Sequence, residues 1–568
     1  MTLDSHYDIV IIGAGISGLT SAALYSRLGY RVCVLEMDAR PGGYIAGFNR
    51  LEYRFDSAIH WLNQCGADGL VTQAFSLIGS DYPKTKTQHK IKTILSDQYQ
   101  IALTTDVQQL EKQLIHDFPE DTNGIKRFFR QAKKIGASFQ KFRNINRSFA
   151  TMQPLEKARR GLKMLQFALP FIPHIRYSGE KIDKGLQNYF TNPQLLGLFK
   201  SEPDLLSCLI PIGWASIHDY QLQPEGGSQT FAEWLEHVCA EYQTPIHYKS
   251  KVVAINSQGN KATGVEYVCK NEVKKVTCNY VIAACDAQYL YKNLLPQSQY
   301  TQAFLDKINQ SELYASAFTI SLALDCTGES LGFDESMLFI CDDGLGREAY
   351  SDGNPATCGI HVMSGSVRDK SLAPEGKGTL TIFIPSYIDQ YNYWETEKVG
   401  DHYKRGEAYK KTKNEVALTI IKRIEKRLKI DLQSHIVYLD TATPVTHFRY
   451  TGNKNGTMMG TRPGKKNMQA KVAQYKTPLD NVFLSGHWAE LGGGIPIAVK
   501  AAMNSTLLVL KKDNKHAFRM LANYMDGKID RQEFEDSKLL LPYSNSWKRA
   551  LTPAEKAQLK SEKFKNSI

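Results

Sequence analysis

The sequence predicts a two-lobed α/β protein, with one parallel sheet assembled from both ends of the chain and the middle inserted as an α+β lobe. Three observations lead to this prediction. Residues 7–12 are a continuous apolar run, which is typical of a strand buried on both faces of a parallel sheet. Strand patterns of the same kind return after residue 245 and again at 481–485. Between them, residues 105–200 have a mostly helical pattern.

The individual elements follow from local signals. A helical stretch after the first strand ends at Gly29, and residues 31–35 make a second strand, which completes a βαβ unit. In the middle, residues 315–325 and 378–385 alternate apolar with small or polar side chains, as strands do. A long helix is expected from about Pro496. The predicted units are a first lobe of 1–75, 223–300 and 440–512, a second lobe of 76–222 and 301–439, and a basic helical tail over 513–568.

The composition is that of a globular protein with large cores, since 42% of the 568 residues are hydrophobic and 23% are charged. The net charge of +12 admits nucleic acid or an anionic membrane as a partner. The basic tail has neither interleaved aromatic side chains nor a known nucleic-acid-binding pattern, so we expect no nucleic-acid partner. No uninterrupted apolar run is long enough to span a bilayer.

The cysteines and the first residues predict a cytoplasmic protein. Ten cysteines are scattered without a C-x-x-C pair, which favours reduced thiols over a disulfide frame or a zinc site. The polar N-terminus is followed at once by a strand pattern, which leaves no room for a signal peptide. We therefore expect neither a disulfide nor a bound metal.

A dinucleotide-binding motif follows the first strand. The segment Gly13-Ala14-Gly15-Ile16-Ser17-Gly18 is a G-x-G-x-x-G between a strand and a helix, and Glu36 closes the second strand. The glycines permit a tight turn, close approach of a pyrophosphate and packing of helix on strand, while the helix N-terminus supplies amide donors. A carboxylate at the position of Glu36 can accept hydrogen bonds from both ribose hydroxyls.

Two further segments indicate which dinucleotide is bound. Arg40-Pro41-Gly42-Gly43 would bring a second backbone segment and a guanidinium to the pyrophosphate, and this extension resembles the FAD proteins of the glutathione-reductase type. Near the C-terminus, a strand ends at Gly486-His487-Trp488, and Gly492-Gly493-Gly494-Ile495-Pro496 then opens a helix. The positive end of that helix can stabilise an anionic reduced flavin. Together the segments predict FAD.

The chain as a whole resembles the phytoene desaturase, carotenoid isomerase and retinol saturase group of flavoproteins, over most of residues 5–510. Beyond the motifs above, the resemblance rests on these segments: Tyr53-Arg54-Phe55-Asp56-Ser57-Ala58-Ile59-His60-Trp61, Pro224-Glu225-Gly226-Gly227, Val252-Val253, Asn279 to Asp286, Thr443-Pro444 and Arg449 to Gly452. It implies a Rossmann-like FAD domain with Val253 beside the adenine. It also implies redox or isomerisation chemistry at carbon–carbon bonds of a polyene. The chain departs from the group at His487, where an Asp that binds the ribityl chain is more frequent.

Such chemistry needs hydride exchange at the flavin and a dry apolar slot, and strong acids or bases are not obligatory. His60 either moves a proton beside the reacting carbon or packs against the flavin. Glu490 is either a general base or a loop carboxylate. Trp61 and Trp488 are expected to line the substrate cavity.

A polyene dissolves in membranes, so the protein should contact one peripherally. The segment Lys157–Tyr177 combines basic side chains with a dense apolar patch interrupted by Pro170 and Pro173, which suits insertion at the bilayer interface. The alternative is a core helix with a cationic edge.

Two rival functions stay open on the sequence. One is an amine- or protoporphyrinogen-oxidase-like flavoenzyme, although no lysine can be assigned the water-holding role of an amine site. The other is a non-catalytic flavin- or lipid-binding protein, which the departure at His487 would favour.

Overall fold

The computed structural model describes residues 5–199, 202–342, 344–345, 347–389, 392–400 and 402–565. A seven-stranded sheet lies at the centre of the first lobe, which we call the dinucleotide lobe. Its strands are, in spatial order, Ser250–Gln258, Lys261–Cys269, Glu272–Ala283, His6–Ile12, Val32–Leu35 and Ile246–His247, with Val482–Leu484 paired to Glu272–Ala283. Strands from both ends of the chain share this sheet, which confirms the predicted α/β architecture.

The long strand Glu272–Ala283 joins an antiparallel part of the sheet to a parallel part. It pairs antiparallel with Lys261–Cys269, and from Thr277 onwards it runs parallel to His6–Ile12. His6–Ile12 in turn runs parallel to Val32–Leu35. The carboxyl ends of these parallel strands therefore meet at one edge, which is where open α/β sheets bind ligands.

Two helices form the centre of the core on this sheet. Ile16–Arg27 is buried along its whole length, and Ile495–Asp513 packs against it. A helix that is buried on all sides belongs inside a domain rather than at its surface. The other helices in this core are Leu70–Ile78, Gln229–Glu241, Gln299–Gln310, Lys515–Met525 and Arg531–Asp536.

The second lobe has its own seven-stranded sheet. Its strands are, in spatial order, Ile436–Ala442, Ser316–Leu324, Gly378–Ser386, Ile360–Met363, Met337–Ile340, Lys90–Leu95 and Gln100–Thr104. Helix Glu407–Leu428 covers one face through Val416, Ile420 and Ile424. The predicted boundary at residue 440 falls inside Ile436–Ala442, because that strand completes the second sheet rather than starting the first lobe again.

A helical layer packs on the far end of the second sheet, as the pattern of residues 105–200 predicts. Its helices are Val107–Asp117, Thr122–Lys141, Pro154–Ala168, Ile172–Ile175, Ile182–Gln187, Pro193–Gly197 and Leu205–Ala215. The shorter strands are Gly47–Arg50, Tyr53–Asp56, Thr85–Lys86, Gln223–Pro224, Lys398–Val399 and His402–Tyr403; the remaining helices are Ala287–Tyr289, Gly365–Arg368, Pro444–Thr451, Lys465–Ala470 and Pro553–Lys565.

The C-terminal segment differs from the predicted appended tail. Leu521 and Phe534 are buried in the core of the dinucleotide lobe. Further on, the buried Arg27 donates a 2.7 Å hydrogen bond to the carbonyl of Leu541, and Thr552 donates one of 2.6 Å to a carbonyl of the second lobe. The segment therefore crosses from one lobe to the other. The segment was predicted to be an appended tail because it is rich in lysine, but its lysines are interspersed with the buried residues named above.

Asp526 ties helix Pro154–Ala168 to the dinucleotide lobe. Its carboxylate accepts a 2.7 Å hydrogen bond from Arg147 and a second bond from Arg160, which lies on that helix. Both guanidinium groups are at most 7% exposed, so these are buried, charge-assisted bonds. Among the described residues, no helix is long and apolar enough to cross a bilayer.

Candidate functional site

A deep cleft opens at the edge where the parallel strands of the dinucleotide lobe end. It encloses about 1750 Å³ of empty space, its open mouth included. The sequence-predicted residues on its wall are Gly13, Gly15, Ile16, Ser17, Glu36, Gly42, Gly43, Gly486, His487, Trp488, Gly494 and Ile495. The N-terminal and C-terminal motifs also touch each other, since the hydroxyl oxygens of Ser17 and Ser485 are 2.8 Å apart.

The two glycine segments lie side by side on this wall. Gly42 donates a 2.8 Å hydrogen bond to the carbonyl of Ala14 and bridges to Gly15. Gly13 has a φ of +102°, and a Cβ there would lie 2.7 Å from the carbonyl oxygen of Ala284. A Cβ on Gly15, in contrast, would meet no atom within 4 Å, because it would project into the cleft. A diphosphate could therefore approach the main chain at Gly15.

Glu36 is held at the end of the second strand by two backbone amides. Its carboxylate accepts hydrogen bonds of 2.5 Å from Ala14 and 2.8 Å from Asp38. Burial raises the pKa of the Glu36 carboxyl, while these amides act in the opposite direction. The carboxylate faces the cleft with lone pairs left over, as a ribose-binding carboxylate must.

Helix Ile495–Asp513 also starts on the cleft wall. No side chain caps its N-terminus, where Gly494 and Ile495 lie on the wall, so its first amides are free to bind a ligand. His487 lies beside it, and burial lowers the pKa of this imidazole to about 4. Its Nε2 has no hydrogen-bond partner among the described residues. The neutral ring can therefore offer one hydrogen bond to a ligand in the cleft.

Several predicted cofactor residues lie off the wall. The guanidinium of Arg40 hydrogen-bonds the carbonyl of Gly47 and lies 3.7 Å from Asp38, away from the glycine segments. Val252 lines the cleft in place of Val253, because successive side chains of a strand point to opposite faces. The following residues support the turn without facing the cleft: Gly18, whose missing Cβ makes room for the carbonyl of Gly13; Gly493, which packs on Met459; and Pro496, in the first turn of the helix.

Sequence reasoning did not single out Asp286, a carboxylate on the cleft wall. Asp286 accepts a 2.7 Å hydrogen bond from the amide of Tyr289 and a 2.8 Å bond from the amide of Lys454. Burial raises its pKa to about 6. An Asp directly after a strand and before a short helix is an N-cap signal, which could have identified it. Tyr44 was also missed; its hydroxyl donates a 2.6 Å bond to the carbonyl of Thr457 and so joins the glycine segment Gly42-Gly43 to the C-terminal part of the chain near the cleft.

The two predicted catalytic residues lie outside the cleft wall. Glu490 accepts a 2.6 Å hydrogen bond from Tyr475 and lies 3.1 Å from the ammonium group of Lys500, so its charge is already paired. This arrangement does not support a general-base role. Trp488 does line the cleft, and its indole donates a 2.8 Å bond to Asn453.

His60 lies between the cleft and the second sheet. Its neighbour Ile59 is on the cleft wall, while the His60 ring stacks on Phe383 of the second sheet at a centroid distance of 5.9 Å. Trp61 tilts against the same phenylalanine at 6.3 Å. Burial, followed by the charge of Arg368, lowers the pKa of His60 to about 3, so the ring is neutral at physiological pH.

The buried imidazoles predict a loss of stability in acid. Burial lowers the pKa of His447 to about 4, against about 6.5 in an unfolded chain. As the pH falls below about 6.5, the unfolded state takes up a proton that the folded ring does not, so the free energy of unfolding decreases until the folded pKa is reached. When the pH is lowered from 7.5 to 5, we expect the free energy of unfolding of His447→Gln to fall by about 2 kcal/mol less than that of the wild type. Urea unfolding at both pH values measures this difference. The exposed His116→Gln is the control, and equal losses in wild type and His447→Gln would contradict the prediction.

The comparisons with known proteins agree with this geometry. The family model of the NAD(P)-binding Rossmann-like domain matches residues 11–76. The chloroplastic prolycopene isomerase of Daucus carota is 25% identical over 86% of this chain and 78% of its own length. The all-trans-retinol 13,14-reductase of Danio rerio is 22% identical over 92% of this chain and 89% of its own length. A 4,4'-diapophytoene desaturase of Methylomonas is 23% identical over 66% of this chain and 73% of its own length.

Solved structures show the same fold. An oxidoreductase from Methanosarcina mazei matches with a TM-score of 0.54 at 15% identity, over 87% of this chain and 99% of its own. A putrescine oxidase variant matches with a TM-score of 0.56 at 12% identity, over 89% of this chain and 99% of its own. The dinucleotide-binding lobe and the relatives together support an oxidoreductase that is similar to the phytoene desaturase, carotenoid isomerase and retinol saturase group.

Proposed function

We propose that this protein uses FAD to oxidise, reduce or isomerise carbon–carbon bonds of a hydrophobic polyene or isoprenoid. The observation that carries the proposal is the cleft wall, on which Gly15, Gly42 and Glu36 lie together with the uncapped start of helix Ile495–Asp513. Relatives named for prolycopene, retinol and diapophytoene support the substrate class. The likeness to putrescine oxidase concerns the fold alone.

The residues present fit FAD. The open space at Gly15 admits a diphosphate, Glu36 suits the ribose, and Val252 with Met37 offers an apolar wall at the adenine end. At the other end, the free amides at Gly494 and Ile495 and the unpaired Nε2 of His487 suit the ribityl chain and the ring. When bound, FAD supplies hydride exchange with a carbon atom of the substrate.

The protein's own part in such a reaction is to orient the substrate and to exclude water. His60, Trp61 and Phe383 form an aromatic wall between the cleft and the second sheet. His60 is neutral because burial depresses its pKa, so it can line this wall without placing a charge beside an apolar chain. This wall suits a substrate whose reaction needs dryness more than strong acid or base.

One experiment tests the proposal and separates its three reactions. The protein, purified in mild detergent, is reconstituted with FAD and incubated with lycopene isomers and with retinol, with and without a chemical reductant. We expect a flavin absorbance band and a product with two hydrogens fewer, two hydrogens more, or an unchanged mass and a new double-bond geometry. Absence of flavin after addition of FAD would refute the proposal. Peroxide release with amines, and no polyene product, would favour an amine oxidase.

We also propose that an exposed apolar surface of the helical layer docks on an anionic membrane. This docking face consists of Leu155, Leu162, Leu165, Leu169, Ile172 and Ile175, which are between 48% and 65% exposed. Lys157, Arg159, Lys163 and Arg176 flank it. Contiguous apolar patches are unusual on free surfaces, and the flanking cations match anionic lipid headgroups. The buried bonds of Asp526 fix this helix firmly to the rest of the protein.

A further inference from the structure

One buried arginine differs from all the others in its hydrogen bonding. Five described arginines are 7% exposed or less: Arg27, Arg54, Arg147, Arg160 and Arg368. Arg27 donates to the carbonyls of Leu77, Ile78 and Leu541. Arg54, Arg147 and Arg160 each reach a carboxylate. Arg368 donates only through Nε, in a 2.7 Å bond to the carbonyl of Glu335. Neither of its Nη atoms has a partner among the described residues.

The acidic groups nearest to Arg368 are engaged elsewhere. Asp334 hydrogen-bonds Lys90 and Ser336, and Glu335 accepts from the backbone of Lys90. The neighbouring Asp369 accepts a 2.6 Å bond from the amide of Gly226. Burial lowers the pKa of the Arg368 guanidinium to about 10, which still leaves it charged at physiological pH. An unpaired buried charge is costly, and its usual remedy is a partner of opposite charge.

Arg368 lies close to the aromatic wall. The short helix Gly365–Arg368 packs on strand Gly378–Ser386, which carries Phe383. The charge of Arg368 is the second cause of the lowered pKa of His60, which stacks on that phenylalanine. On the neighbouring strand, His361 pairs with Phe383 and stacks on its ring at 4.8 Å, and its Nδ1 also has no partner among the described residues.

Two buried glutamines add unpaired polar atoms to the same region. Gln221 and Gln223 are at most 2% exposed, and the carbonyl oxygen of each side chain lacks a partner among the described residues. They flank Leu222, which pairs through two 2.8 Å backbone bonds with Leu62, directly after His60 and Trp61. Gln221 also has a left-handed φ of 54°. Strained and unsatisfied polar residues of this kind concentrate where ligands bind.

We infer that Arg368 binds a carboxylate carried by the substrate, so that the enzyme acts on a polyene or isoprenoid acid rather than on a bare hydrocarbon. The inference rests on the proposed function and names the substrate class of the same site. Two free Nη groups match the two oxygens of one carboxylate, which no hydrocarbon, ester or alcohol reproduces. The unpaired glutamine oxygens suit a hydroxyl or a bridging water beside that group.

Binding of a matched pair of ligands to the FAD-loaded protein tests the inference. All-trans-retinoic acid and its methyl ester share one apolar chain and differ in charge, and both quench tryptophan fluorescence. We expect the wild type to bind the acid on the order of tenfold to a hundredfold more tightly than the ester, because a charge-assisted bidentate pair is lost in the ester. Equal affinities in the wild type would overturn the inference, and this comparison needs no variant.

Two variants locate the preference. Arg368→Met should bring the affinity for the acid down to that for the ester and leave the ester unchanged, while Arg368→Lys should retain part of the preference. Arg27→Met should keep the full preference for the acid. It removes an equally buried arginine that donates its hydrogen bonds to backbone carbonyls. A full preference in Arg368→Met would overturn the inference. Turnover of neutral polyenes without any preference for the acid would leave the proposed function intact and refute the role of Arg368 alone.

Discussion

The Gly15→Val variant is expected to fold like the wild type and to bind no FAD. The position tolerates a side chain in the free protein, because its φ of −70° and ψ of 175° suit any residue and a Cβ would meet no atom within 4 Å. The same side chain would occupy the space through which a diphosphate reaches the main chain. We expect the affinity for FAD to fall by at least about a hundredfold, since the diphosphate loses its backbone contacts on this side.

Flavin absorbance per mole of purified protein, together with FAD titration of the apoprotein, measures this loss. Urea unfolding of the apoprotein shows whether the variant folds. Gly161→Val is the matched control, because its Cβ would also meet no atom within 4 Å but it lies on the surface helix Pro154–Ala168. Unchanged FAD affinity in Gly15→Val would mean that the cleft does not hold a dinucleotide at this turn. Gly18→Val is unsuitable for this test, since its side chain would overlap the carbonyl of Gly13 and disrupt folding.

The second large effect is expected at the docking face. Replacing Leu162 and Leu165 together by Asp should abolish binding to vesicles that contain phosphatidylglycerol. Each leucine transferred into the bilayer contributes about 1.5–3 kcal/mol, so loss of both should weaken binding by on the order of a hundredfold or more. Added negative charge also opposes the attraction of the flanking cations to the anionic surface.

Vesicle co-sedimentation at low and at high salt measures this binding. The matched control replaces Leu51 and Leu418 by Asp. These leucines are 71% and 45% exposed but lie outside the docking face. The control should bind vesicles like the wild type. A specific docking face would be disproved if the docking-face variant bound vesicles as well as the wild type does. It would also be disproved if the control lost as much binding as the docking-face variant. FAD content should be the same in all three proteins, which separates membrane contact from cofactor binding.

The parts of the site that the sequence predicted are those set by local chain geometry. The turn at Gly13 and Gly15, the carboxylate at the strand end and the helix start at Ile495 each depend on a few neighbouring residues, so their patterns are visible in one dimension. The dinucleotide sheet was predictable for a related reason: strands buried on both faces are continuous apolar runs wherever they occur in the chain.

The site predictions that the structure does not support concern residues whose surroundings are formed by distant segments of the chain. Glu490 looked like a free loop carboxylate because its partners Tyr475 and Lys500 reach it only in the folded chain. Val252 lines the cleft instead of Val253, because which face of a strand turns to the cleft is decided by its place in the folded sheet. Arg368 resembles any other arginine in the sequence, since what distinguishes it is the absence of partners for its Nη atoms among the described residues.

The discontinuous dinucleotide sheet has a consequence for biosynthesis. The first residue of the cleft wall is Ile12, and its last residues are Gly486 to Trp488 and the start of helix Ile495–Asp513. These last residues are also the last part of the wall to be synthesised. A nascent chain therefore exposes the apolar strand His6–Ile12 long before Glu272–Ala283 arrives to pair with it. Pairing across such separations is slow and prone to aggregation. Cofactor binding therefore requires that nearly the whole chain has been synthesised, and we expect the first strand to be vulnerable to aggregation until then.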